Sequence, residues 1–250
     1  MQFLAENLCQ ALAETLSDIP EHCIAIHALR TQRCRALLIG EAAGPQAAVI
    51  DPVLTEGELI GWGSDPGAIA DAAMQMPNWK FLEVSSSMAH SVQRALERRL
   101  RRPVDRVQDV YHTLTTPAPA IEHPAVRPLA GEADAELYAQ SAKVFNDTPE
   151  DARRAVLEGP VAAAIIDGRV VGSVEANVRT ARYANMCAEL LSTHQKLGLG
   201  TACAALAAKA VQDMGLVPVW SAAYNNGASL RVAEKIGYKE VGYWVYLLRA

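Results

Sequence analysis

The sequence predicts an α/β fold of the α+β kind, a mixed central sheet flanked by helices, with a looser second copy of the pattern in its N-terminal half. Three observations predict it. In the C-terminal half, a short apolar strand (188–191) runs through a glycine-containing turn into an Ala-rich helix, and a second apolar strand (216–220) follows. Elsewhere the apolar residues switch between helical spacing and short runs suited to strands. A stretch with three prolines divides the two halves, and 250 residues are enough for one large or two modest domains.

From the N-terminus, residues 3–17 place Phe3, Leu4, Leu8, Leu12 and Leu16 on one helical face. Strands are expected over 23–29, 35–39, 47–50 and 80–84, helices over 66–76 and 88–100, and a last strand over 107–114. Gly57, Gly61, Gly63 and Gly67 read as turns of a loop. The resulting order, α–β–β–β–α–β–α–β, loosely parallels the second half. Next comes Thr115-Thr116-Pro117-Ala118-Pro119-Ala120-Ile121-Glu122-His123-Pro124. Its prolines disfavour helix and favour an extended connection. The division is therefore a domain over 1–115, a linker over 116–124 and a domain over 125–250.

The C-terminal half centres on Gln195-Lys196-Leu197-Gly198-Leu199-Gly200-Thr201. Glycines there let the backbone turn tightly and gather N–H groups around an anion, and the helix behind adds its positive end. A P-loop is excluded, because Thr201 and Ala202 stand where Lys and Ser/Thr would be needed. A dinucleotide fingerprint is excluded by Cys203 at the third glycine position. The helix over 201–214 gathers Cys203, Leu206, Ala207, Ala210, Val211 and Met214 on one face and ends at Gly215. Pro218 cannot donate to a ladder, so the strand over 216–220 has an interrupted neighbour. Asn226-Gly227-Ala228-Ser229 opens a last helix, which ends in Ala233-Glu234-Lys235-Ile236-Gly237-Tyr238. Residues 239–248 then form one long strand or a bent pair.

The pattern Gln/Arg-x-x-Gly-x-Gly/Ala resembles the acyl-CoA-binding signature of the GNAT superfamily of N-acyltransferases. The Pro-Val-Trp, Asn-x-x-Ser and Ala-Glu-Lys-Ile-Gly-Tyr segments look closest to the GNAT acetyltransferases typified by zwittermicin self-resistance proteins. The matching motifs cover about residues 189–243. The resemblance implies a GNAT-like sheet whose two central strands splay to admit a pantetheine arm, with the N-terminal half a degenerate copy. It also implies acetyl-CoA as cofactor. On that reading Gln195, Lys196, Leu197, Gly198, Leu199, Gly200 and Thr201 hold the diphosphate. Leu190, Leu191 and Ser192 offer strand-edge groups to the pantetheine amides, and N–H groups near Leu190 polarise the thioester carbonyl. Asn226 holds the pantetheine or lines the acceptor channel. Ser229 caps the last helix or meets the thiol end, the cap being the plainer reading.

Acetyl transfer to an amine needs a group to take the amine's proton. Glu189, on the strand that would carry the thioester, is the first candidate, before Glu175 and His194. Family members commonly place a Tyr acid where this chain has Ala233. Tyr224 is a substitute for it, or else a ring packed at the strand end. A complete GNAT-like domain closes with a two-stranded hairpin, but only 13 residues follow Gly237. Another part of the chain must cover that edge, or it is missing.

Composition narrows the function classes. A formal net charge of −5 argues against general nucleic-acid binding. The basic group Arg94, Arg98, Arg99, Arg101, Arg102 and Arg106 reads as a solvated helix face. Cys9, Cys23, Cys34, Cys187 and Cys203 show no metal or redox spacing, so no metal is expected. Cys187 and Cys203 are expected on apolar faces. No long apolar run or basic leader is seen, so a cytoplasmic protein without membrane attachment is expected. The sequence thus points to an N-acetyltransferase acting on a small-molecule primary amine by direct transfer in a ternary complex, as monomer or homodimer. A non-catalytic acetyl-CoA-binding regulator and an acetyltransferase of protein amino groups are the alternatives.

Overall fold

A computed structural model describes residues 5–55, 57–142 and 148–249. Phe3 and Leu4, expected on the first helical face, lie outside the described residues. In chain order the first elements are α1 (Glu6–Thr15), α2 (Cys23–Arg30), β1 (Cys34–Glu41), β2 (Gly44–Pro52), β3 (Glu58–Trp62), α3 (Pro66–Gln75), β4 (Phe81–Ser85), α4 (Ser86–Leu100) and β5 (Asp105–Thr113). Then follow β6 (Val126–Leu129), α5 (Gly131–Ala139), α6 (Pro149–Glu158), β7 (Val161–Ile166), β8 (Arg169–Arg179), β9 (Tyr183–Leu190), α7 (Leu199–Asp213), β10 (Val217–Ala223), α8 (Gly227–Ile236) and β11 (Lys239–Leu248). The chain forms two compact units. One comprises residues 1–111, 222–225 and 242–250, the other 112–221 and 226–241.

In the first unit the strand order is β1-β2-β3-β4-β11-β5. β1, β2 and β3 pair antiparallel, β3 and β4 parallel, and β11 antiparallel to β4 from Trp244↔Ser85 to Leu248↔Phe81. Alternation along β2 buries both faces. Ala47 and Val49 join the core with Ile69, Ala73, Val92 and Leu96 of α3 and α4, while Ala48 and Ile50 are buried on the opposite face.

Two expectations for this half are corrected. Residues 23–29 form α2, not a strand. Short apolar runs do not separate the two periods, and Ala and Leu with no internal breaker favour helix once Pro20 has started the turn that precedes it. The glycine-spaced stretch contains β3. Gly61 sits inside that strand because a Cβ there would lie 3.0 Å from Leu82 Cδ1 and 3.1 Å from Ile69 Cγ2.

The second unit has the order β10-β9-β8-β7-β6, antiparallel from β6 to β9 and parallel between β9 and β10. β7 (Val-Ala-Ala-Ala-Ile-Ile) is covered on both faces, as its unbroken apolar run requires. Ala162 and Ala164 pack with α7 and α8, and Val161 and Ala163 with α5 and α6. Residues 114–123 carry no regular structure. They are nonetheless tied down, since Gln212 on α7 accepts from Ala118 N (2.8 Å) and donates to the carbonyls of Leu114 (3.2 Å) and Thr116 (2.7 Å). Met214 is exposed rather than on the apolar face of α7, because it falls at the helix's last turn beside Gly215.

β9 and β10 pair only at Val217↔Tyr183, Pro218↔Ala184 and Val219↔Asn185, and their ladder ends there although both strands continue. The corresponding parallel strands of the first unit, β3 and β4, pair across four consecutive positions. This contrast positions the site.

Candidate functional site

Where β9 and β10 part, a cleft of about 440 Å³ opens within the second unit. Its floor is the start of α7. Lys196 (φ 65°) and Gly198 (φ 84°) turn the chain through left-handed backbone, and Gly198 becomes the N-cap. Only glycine takes that conformation without strain, and a Cβ at 198 would meet nothing within 4 Å. No side chain caps α7. Its first-turn N–H groups therefore face the cleft with the helix's positive end behind them.

Leu190 connects strand and cradle. A Cβ on Gly172 would lie 2.4 Å from Leu190 Cδ1, and one on Gly200 would lie 3.7 Å from Leu190 Cδ2. The leucine thus fills the space that the missing side chain of Gly172 leaves, so glycine is needed there on β8, while a methyl at 200 would sit in ordinary contact with it.

The wall opposite is α8. Asn226 caps it, its Oδ1 accepting from Ser229 N at 3.2 Å. The expectation that Ser229 is the cap is corrected, because the asparagine one residue before the helix reaches that N–H first. The Ser229 hydroxyl instead accepts from Trp220 Nε1 at 2.9 Å, fixing the β10 indole to α8. At its far end α8 closes on Gly237 (φ 98°), whose N–H bonds the carbonyls of Ala233 and Glu234.

The cleft gathers Glu189, Leu190, Gln195, Lys196, Gly198, Leu199, Gly200, Thr201, Asn226 and Ser229 among the residues expected from sequence. Leu191 and His194 instead line a second cavity of about 690 Å³ with Leu137, Ser141 and the β7–β8 turn. Ser192 and Leu197 line neither cavity, and both are exposed. Tyr224 is 68% exposed, with its N–H donated to Gln108 O (2.8 Å), and is not part of the cleft lining. Ala233 is fully buried in the unit's core. Cys203 is buried as expected, and burial pushes its thiol up to about 12. Cys187 is exposed, contrary to expectation. It lies in register with Glu175 near the bulge in β8, where the strand's alternation is interrupted.

Sequence reasoning missed Ser173, Trp220, Arg231 and Lys235 as cleft residues. Ser173 stands opposite Glu189 in the β8–β9 register, and its hydroxyl is within 2.9 Å of the buried Tyr138 hydroxyl of α5. Burial, with Glu175 next, raises the Tyr138 phenol well above its ordinary value, so it stays protonated. Only Arg231 and Lys235 left a signal, a four-residue spacing on one helical face.

The first unit has the same strand–turn–helix–strand succession in β3–α3–β4, but its helix end is filled from within. Asp65 Oδ1 accepts from Gly67 N (2.7 Å) and Ala68 N (3.2 Å), and Pro66 contributes no N–H. Arg99 bonds both Asp71 and the Gly67 carbonyl, holding that turn closed. Among the described residues, no cluster of three or more His, Cys, Asp or Glu suits a metal ion, and no helix is long and apolar enough to cross a membrane.

Residues 135–247 match the GNAT acetyltransferase family. The whole chain resembles a GCN5-related N-acetyltransferase-like protein from Streptococcus suis (TM-score 0.69, 18% identity, 97% of this chain and 99% of that one). It also resembles a GNAT-family acetyltransferase, described as putative, from Novosphingobium aromaticivorans (TM-score 0.62, 14% identity, 92% and 98%). A third similar structure is a tandem GNAT protein from the clavulanic acid biosynthesis pathway (TM-score 0.59, 12% identity, 98% and 93%). At these identities the likeness is one of fold. Comparison with curated proteins finds no match.

Proposed function

We propose that this chain, whose residues 135–247 match the GNAT acetyltransferase family, is an acyltransferase that transfers an acetyl group from acetyl-CoA to a primary amine of a small molecule. Transfer is by direct attack in a ternary complex. The observation that carries this reading is the open start of α7 behind Gly198, at the point where β9 and β10 part. Gly198, Leu199, Gly200 and Thr201 present backbone N–H groups to the diphosphate, while Gln195 and Lys196 border it. Leu190 offers main-chain groups to the pantetheine amides along the edge that β10 leaves, whereas Leu191, its N–H bonded to Val171 O and its carbonyl to His194 N, has none to offer. When bound, acetyl-CoA supplies the activated thioester.

Glu189 takes the amine's proton, being the one carboxylate among the described residues that lines the cleft. Glu175 and His194 are less suited, since neither lines it. Asn226 orders the α8 wall by its cap and borders the acceptor side. The Pro-Val-Trp, Asn-x-x-Ser and Ala-Glu-Lys-Ile-Gly-Tyr segments support the zwittermicin-resistance-type subgroup. The first unit has its helix end closed by Asp65 and binds no second cofactor.

Calorimetric titration with acetyl-CoA, followed by thiol release across a panel of amines, tests the reading. One molecule bound per chain and turnover with small primary amines are expected. Two molecules bound would overturn the closed first unit. Turnover restricted to peptide amines would overturn the small-molecule assignment.

A further inference from the structure

Arg231 and Lys235 of α8 line the candidate cleft together with Lys196. Elsewhere Arg99 meets Asp71, Arg127 meets Asp134, Arg153 meets Glu136, Arg154 meets Asp151 and Lys209 meets Asp213. Among the described residues, Lys196, Arg231 and Lys235 form no such pair, and all three line the one cleft. Among the described residues, Glu189 is the one acid that lines the cleft with them. A chain of net charge −5 thus concentrates positive charge at this place, an arrangement that raises the local concentration of a polyanion.

The first-turn amides of α7 are few and sit on one wall, enough for a diphosphate. The two α8 cations sit on another wall, one helical turn apart on the same face. Lys235 lies in the last turn of α8, while the Arg231 guanidinium reaches back over the first turn, its Nη1 3.2 Å from where a Cβ on Gly227 would lie. A phosphate monoester carries about two negative charges and three terminal oxygens. Arg supplies a two-pronged donor for such a group and Lys a point charge.

We infer that Arg231 and Lys235 form a second anion subsite that takes the 3′-phosphate of the nucleotide, so that the enzyme distinguishes CoA from its 3′-dephospho form. The inference rests on the cofactor reading above.

The test compares acetyl-CoA with acetyl-3′-dephospho-CoA on the wild type and on Arg231→Gln, Lys235→Gln and the double variant, by calorimetric Kd without acceptor as well as by steady-state kinetics, and Kd should change as KM does. Both side chains are exposed, so folding should persist, and circular dichroism with a melting curve verifies it. The wild type should show a KM about 10- to 100-fold lower for the phosphorylated nucleotide, as charge-assisted bonds to one phosphate allow. The double variant should lose that preference by raising KM for acetyl-CoA alone, with kcat unchanged for both. A rise in both KM values together would assign the cations to the diphosphate and overturn the inference, as would an unchanged ratio. A wild type that binds both nucleotides equally overturns this inference alone, and one that binds neither overturns the cofactor reading with it.

Discussion

Replacing Gly198 by Asp and, separately, by Asn isolates the charge at the cradle. Both residues tolerate left-handed backbone better than other side chains. Each pays up to about 1–2 kcal/mol for it, and neither meets an obstacle, since the space over Gly198 is open. The two differ by one negative charge beside the start of α7. Against a diphosphate about 5 Å away, each pair of charges costs ~0.8 kcal/mol at the dielectric of water and ~3 kcal/mol at an effective value of 20. Two such pairs give about 2–7 kcal/mol, so Asp should bind CoA at least about tenfold more weakly than Asn. In the apo protein the sign reverses, because a carboxylate at a helix N-terminus stabilises by about 0.3–1 kcal/mol. The Asp variant should therefore melt at or above the Asn variant while binding CoA less well, and added salt should narrow the affinity gap. Calorimetry and melting curves on the same samples read both effects. Equal CoA affinity for the two variants would refute the diphosphate cradle.

Further outcomes follow from the same geometry. Glu189→Gln should slow turnover more at low pH than at high pH, because free amine accumulates as pH rises; an unchanged pH profile removes Glu189 from proton transfer. Gly172→Ala forces a methyl to 2.4 Å from Leu190 Cδ1 and should cost about 1–3 kcal/mol in urea denaturation together with weakened CoA binding. In the first unit, burial, with nearby Asp109 adding to it against Lys80, raises the Glu58 carboxyl from 4.5 to about 7. The folded state then holds a proton that the unfolded state has released, so stability falls from about pH 4.5 to pH 7 and is level above. Glu58→Gln should remove this loss, gaining up to about 3 kcal/mol at pH 8.5 and almost nothing at pH 4.5. A gain independent of pH would show that burial of the charge is not the cause.

The glycine turn, the Ala-rich helix behind it and the Gly237 stop of α8 were legible in the chain because each depends on backbone chemistry within a few residues. The Asn226 cap was not, since Ser229 three residues on reads equally well as a cap until the first turn is set. Residues 23–29 were not, because a seven-residue apolar run fits a strand and a helix equally until neighbours choose. Nor was β3, whose Gly61 reads as a turn until Leu82 and Ile69 approach it.

By itself the sequence determined the local devices of the C-terminal half: the glycine turn before α7, the Gly215 and Gly237 stops of α7 and α8, and which turn could meet phosphates. Only the tertiary structure decided which of those devices face one another. It parted β9 from β10, set Leu190 between Gly172 and Gly200, tied Trp220 to Ser229, and brought Arg231 and Lys235 to the cradle's cleft. It also closed the start of α3 with Asp65 while leaving α7 open. The physical reason is range. Dihedral preference and capping act over one turn of chain, whereas packing and charge act between residues that only the folded sheet makes neighbours.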